Sequence, residues 1–210
     1  MNMGRDRIED LLNRAGSSKN DSSVTSSRVI FPDETAAADR FDEYCRRLLD
    51  IEAWKASSTP SSYELFDPTG EMVSDLPLEK GLFIRISIAA SGKHDWVRIV
   101  SISQGPDELI LTVSPTFDPT EKPQKPDVIS HFFAPEATNN FCLQQSGVAV
   151  TMYVIGLSEH QNVRNADGVV ETARNVAAAN LGSYLGLQKS VWKEFCTNFL
   201  TGGAGAKADK

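Results

Sequence analysis

The sequence predicts an α+β fold: a bent antiparallel sheet of six or seven strands packed against a long C-terminal helix, with an N-terminal helix at one edge. Two observations predict it. Gly81 to Leu157 is a dense series of short runs in which apolar and polar side chains alternate, the period-two pattern of half-buried strands. From about Gly168 to Leu200, apolar residues instead recur at three- and four-residue spacing. Many short strands followed by one amphipathic helix must bury a sheet face under that helix. With 210 residues, 40% hydrophobic and 23% charged, the chain has the size and composition of one globular domain with free ends.

Arg5 to Ala15 places Ile8, Leu11, Leu12 and Ala15 on one helical face and stops at Gly16, a residue suited to a helix end. Ser17 to Ser27 is almost wholly polar and reads as a linker, because it offers little apolar surface to offset the entropy of ordering. Residues 1–27 are therefore expected to form a flexible arm carrying a short amphipathic helix. Such a helix either frays as a free terminus, since an isolated helix of this length is marginal in water, or docks on its own domain, a second copy or another protein. Residues 28–201 are expected to form the single α+β domain. Within it, Asp33 or Thr35 caps a second helix in which Ala37, Phe41, Tyr44, Cys45, Leu48 and Ile51 share a face. Its charged face pairs Asp42 with Arg46 and Glu43 with Arg47, the pattern of a solvated surface.

Tyr63 to Phe66 reads as a short strand leading into a turn at Asp67-Pro68-Thr69-Gly70. Leu82, Ile84, Ile86 and Ile88 then alternate with Phe83, Arg85 and Ser87. Trp96 to Ile102 and Leu109 to Val113 follow after turns at Ser91-Gly92-Lys93 and Gly105-Pro106-Asp107, giving a three-stranded meander. Four prolines between Pro115 and Pro126 mark an exposed loop. Val128 to Phe133, Asn140 to Gln145 and Val148 to Ile155 read as further strands, the last two joined at Ser146-Gly147. In the helical end, a stripe from Val169 to Leu185 is followed by Gly186. Ser190 restarts a helix whose Val191, Trp192, Phe195, Cys196, Phe199 and Leu200 are read as core. Residues 202–210 read as a disordered tail.

Composition limits the function classes. The net charge is −7, and residues 81–210 carry 12 acidic against 11 basic side chains, so no basic stripe is present to bind nucleic acid or an anionic membrane. Cys45, Cys142 and Cys196 are odd in number and lie in apolar patterns, which points to buried free thiols. With no export signal at the N-terminus, a cytoplasmic location is expected. The sequence holds no catalytic motif, no metal-ligand spacing among His94, His131 and His160, and no phosphate or dinucleotide loop. No catalytic residue, metal or cofactor is assigned.

The candidate ligand-binding residues are Arg85, Trp96, Arg98, Glu159, His160, Asn162 and Arg164. The last four crowd the junction between the final strand and the long helix, where loops on a rigid scaffold carry binding groups. A pocket between sheet and long helix would be lined by Phe83, Arg85, Trp96, Arg98, Phe132 and Tyr153. The layout resembles helix-grip ligand-binding domains in outline, with a different order of elements at the N-terminus and no shared motif. The favoured function is a non-catalytic cytosolic interaction or assembly component, bound to a protein partner or to itself. The alternative is a small-molecule-binding protein or enzyme with a pocket between the sheet and the C-terminal helix.

Overall fold

The computed structural model describes residues 5–18, 21–57, 61–74, 76–88, 94–160 and 189–202. Helix α1 (Arg5–Ser17) is followed by strand β1 (Ser23–Ile30), helices α2 (Glu34–Leu48) and α3 (Ile51–Lys55), and strand β2 (Ser61–Phe66). Strands β3 (Phe83–Ile88), β4 (His94–Gln104), β5 (Glu108–Pro115), β6 (Thr138–Ser146) and β7 (Ala149–Leu157) complete the sheet. A C-terminal helix, α4, spans 189–201. The expected helix over 168–188 lies outside the described residues.

All seven strands form one antiparallel sheet in the order β1-β7-β6-β5-β4-β3-β2. The meander of β3, β4 and β5 is present as the alternation predicts. Val100 is the extra residue of a bulge in β4, which lets both Ile99 and Ile102 pack with the helix-side core and sharpens the local bend. Two expectations are corrected. Val128–Phe133 is not a strand of the sheet: β5 is already paired to β4 on one edge and β6 on the other, so no edge is open to it. The segment instead inserts one residue between two diverging strands, with Trp96 N–H donating to Ser130 O and Ser130 N–H to Thr116 O, each at 2.9 Å. The second correction concerns Ser17–Ser27. Strand β1 begins inside that segment and pairs with β7 over eight residues, from Ser23 opposite Gly156 to Ile30 opposite Ala149. A Ser/Thr-rich strand can add to a sheet edge through its backbone while only Val29 and the following Phe31 contribute apolar packing. With β1 in place the element order after α1 becomes strand, two helices, six strands, helix.

Period-two alternation sends each strand's side chains to two faces, and here both are covered. On the inner face, Tyr63, Leu65, Ile84, Val97, Leu111, Phe141 and Val154 pack against α2, α3 and α4. Asp33 caps α2 by accepting from Ala36 N–H at 2.8 Å, and the buried face of α2 is the predicted one. Phe195 is the hub of the aromatic core, with ring centroids of Trp54, Phe141, Phe199, Trp192 and Tyr63 at 5.4 to 6.3 Å. On the outer face, Ile8 and Ala15 of α1 are buried against Ile110, Cys142, Ile155 and Leu157. Arg7 bonds Ser103 and faces the buried Glu108 at 3.9 Å, so α1 is docked on its own sheet. A separate outer cluster joins Phe66, Phe83 and Trp96 with Phe117 of the β5–β6 loop.

Candidate functional site

Register settles where three of the candidate residues point. Ile84 is opposite Val97, and both belong to the inner core; Phe83 is opposite Arg98 and Arg85 opposite Trp96, so these four face outward. Arg85 donates to Glu64 from Nε at 2.9 Å and Nη2 at 2.7 Å, and its guanidinium lies over Phe66 and Trp96. It is already neutralised and stacked. Arg98 is exposed beside Phe83. Tyr153 also packs with the outer cluster under α1, and Phe132 N–H donates to Asp95 at 3.2 Å. None of Phe83, Arg85, Trp96, Arg98 and Tyr153 lines a space between the sheet and the C-terminal helix, which corrects the lining expected from sequence.

The junction after β7 behaves differently. Ser158 adopts φ 55, a left-handed conformation uncommon for a residue with a side chain, and this reverses the chain beyond Leu157. The reversal is held by Glu159 N–H donating to Asp21 O at 2.8 Å and by Ala134 N–H donating to His160 O at 2.8 Å. It returns Glu159 over the inner face, where its carboxyl lies flat on Gly156. A Cβ at Gly156 would meet Glu159 Oε1 at 2.0 Å and Cδ at 2.3 Å, which is why a glycine interrupts the apolar β7. Burial pushes the Glu159 carboxyl above the usual carboxylate range, against a hydrogen bond from Ser23 and the charge of Lys189, which pull it down.

Two further polar groups converge on the same end of the inner face. Asn139 stands opposite Gly156 in the β6–β7 ladder. Trp192, three residues beyond Lys189 on α4, packs edge-on to Phe141 at 5.3 Å, and Phe141 is the next inward residue of β6 after Asn139. Asn139, Glu159 and Trp192 are 5%, 7% and 7% exposed. Asn139 Oδ1, Glu159 Oε1 and Trp192 Nε1 are buried with no hydrogen-bond partner among the described residues. Each such group costs about 1 to 3 kcal/mol when left unmade, and native interiors hold few of them.

Of the other sequence candidates, His160 is exposed and its Nδ1 lies 3.4 Å from Asp21, while Asn162 and Arg164 lie outside the described residues. Sequence reasoning missed Asn139 and treated Trp192 as plain core. The signals were present: an Asn inside an apolar strand and a lone Gly in β7 each mark a site where something approaches closely. Among the described residues no group of three His, Cys, Asp or Glu side chains is placed to hold a metal ion. Cys45, Cys142 and Cys196 are buried free thiols; burial pushes Cys45 and Cys196 to about 12 and Cys142 upward as well. No helix among the described residues is long and apolar enough to cross a membrane.

No protein-family model matches the chain, and no curated protein sequence matches it. Solved structures do resemble it at low identity. An aromatase/cyclase (Zhui) from Streptomyces sp. R1128 is 11% identical over 86% of this chain and 93% of its own, with a TM-score of 0.45. A protein from Mycobacterium smegmatis is 11% identical, covering 91% and 94%, with a TM-score of 0.43. A hypothetical protein from Helicobacter pylori is 11% identical, covering 82% and 88%, with a TM-score of 0.42.

Proposed function

We propose that this protein binds a small molecule between the inner face of the sheet and the C-terminal helix, with Glu159 and Asn139 reaching it from the sheet and Trp192 from α4. The observation that supports this reading is the convergence, at one end of an otherwise aromatic core, of three buried polar atoms that have no partner among the described residues. A fold keeps such groups unsatisfied where a ligand completes them, because the same positions filled by apolar residues would be more stable. The set comprises an indole donor, an amide acceptor and a carboxyl, which matches an apolar body bearing hydroxyl or amide groups. Buried free thiols favour a reducing compartment for it.

The test is a titration of uncharged hydroxylated aromatics, such as 1-naphthol, followed through the indole N–H resonance of Trp192. A saturable shift is expected, with affinity weakened about tenfold in Asn139→Leu, the loss of one hydrogen bond to a buried partner. An unmoved Trp192 resonance throughout the panel would refute the reading. An interaction or assembly role is the second reading. The docked α1 no longer argues for it, but Ile30, 70% exposed on the edge strand, does.

A further inference from the structure

The chain is acidic overall, yet one cleft is lined by three arginines and a single carboxylate. It lies between edge strand β1, helix α2 and the last turn of α4, away from Glu159, and has a volume of about 690 Å³. That is within the range of roughly 300 to 1,000 Å³ typical of small-molecule sites. Arg40 is paired with Glu43 on the same helix, whereas Arg28 and Arg47 have no carboxylate partner among the described residues. The Arg47 guanidinium is stacked 4.8 Å from the Phe199 ring centroid and 5.8 Å from that of Tyr44. Stacking holds the guanidinium by its face and leaves its N–H edge for two oxygens of a carboxylate or phosphate, the recognition geometry that suits arginine and not lysine. The remaining wall is apolar, from Phe31 on one side to Leu200 on the other. Arginines beside the end of α4 also complement its carbonyl dipole, but Tyr44 O–H already donates to Leu200 O at 2.5 Å.

We propose that this cleft is a binding site for an amphipathic oxyanion, a carboxylate or phosphate group carried on an apolar body, with Arg47 as the principal ligand to the anion and Arg28 and Arg40 setting the local positive potential. The site does not depend on the interior reading, since it shares no residue with it.

The experiment titrates decanoate, decyl phosphate, decanol and inorganic phosphate into the full-length protein by calorimetry. Decanoate or decyl phosphate is expected to bind saturably, and the stronger of the two identifies the head group. Decanol and inorganic phosphate should each bind at least tenfold more weakly, because one lacks the charge and the other the apolar body. Arg28→Glu with Arg40→Glu, both exposed positions, should lower the affinity at least tenfold while lowering the Tm by no more than a few degrees, the effect of losing the exposed Arg40–Glu43 pair. Glu159→Gln should leave it unaltered, which separates this site from the interior one. Raising the salt from 50 to 500 mM should weaken binding, since partly exposed charges are screened. Equal affinity for decanol and decanoate, an unchanged affinity in the doubly reversed variant, or no binding of either amphipathic anion would overturn the proposal.

Discussion

Gly156→Ala tests the geometry of the interior site most directly. Gly156 has no positive φ, so the backbone accepts alanine, and the substitution taken alone would stabilise by about 0.4 to 1 kcal/mol through the unfolded chain. Sterics oppose this, because the new methyl would lie 2.0 Å from Glu159 Oε1, 2.3 Å from Cδ and 2.7 Å from Oε2. The carboxyl must therefore move off the sheet, giving up its hydrogen bond from Ser23. A hydrogen bond to a carboxyl is worth about 0.5 to 3 kcal/mol, the upper part of that range applying to the charged form, and overpacking a core costs about 1 to 3 kcal/mol. The net expectation is a loss of about 2 to 4 kcal/mol, or roughly 5 to 15 °C in Tm for a chain of this size. In a Glu159→Ala background the obstruction is gone, so the same methyl should be neutral or stabilising. Urea denaturation of the four proteins at neutral pH gives the coupling, expected to be about 2 kcal/mol or more. Additivity within about 0.5 kcal/mol, the behaviour of independent sites, would show that the carboxyl does not rest on Gly156.

Two other predictions follow from the core and from Glu159. Phe195→Ala removes the ring against which Trp54, Tyr63, Phe141, Trp192 and Phe199 pack, and is expected to cost about 3 to 5 kcal/mol; a thermal melt lowered by less than about 3 °C would mean this helix face is not core. Because burial raises the Glu159 carboxyl, the folded state keeps its proton over a pH window in which the unfolded chain has lost it. Its contribution to stability is therefore fully present below the ordinary glutamate value and is lost as pH rises through the raised folded value. The Tm advantage of Glu159→Gln over the native protein should grow across that window, and a difference independent of pH between 4 and 8 would contradict the assignment.

Much of the architecture is legible in the residues alone. Alternation over Phe83 to Val113 specifies the meander, Asp33 and the apolar stripe from Ala37 to Ile51 specify α2 and its buried face, and Val191 to Leu200 specify the inward side of α4. These are local patterns, set by strand and helix periods that a neighbouring element need not supply. What the pattern leaves open is which of two faces becomes the interior. Phe83 and Trp96 are as apolar as Ile84 and Val97, and both sets are buried, because α1 and Phe117 cover the outer face while α2, α3 and α4 cover the inner one. A period of two cannot distinguish faces that are both covered, so Arg85 and Arg98 were placed in a pocket from which register excludes them.

Strand β1 was hidden for a related reason: an edge strand of Ser and Thr is held by backbone pairing to β7, 119 or more residues away, and contributes little apolar signal of its own. The candidate site shows the same division. Glu159 stood out by sequence as part of a polar junction, but its role depends on the left-handed turn at Ser158, the missing side chain of Gly156 and the register that sets Asn139 opposite. Composition and periodicity determined that this chain would build a sheet gripped by helices. Only the tertiary structure decided which polar groups that sheet would bury, because burial is a property of the elements that cover a residue and not of the residue's neighbours in sequence.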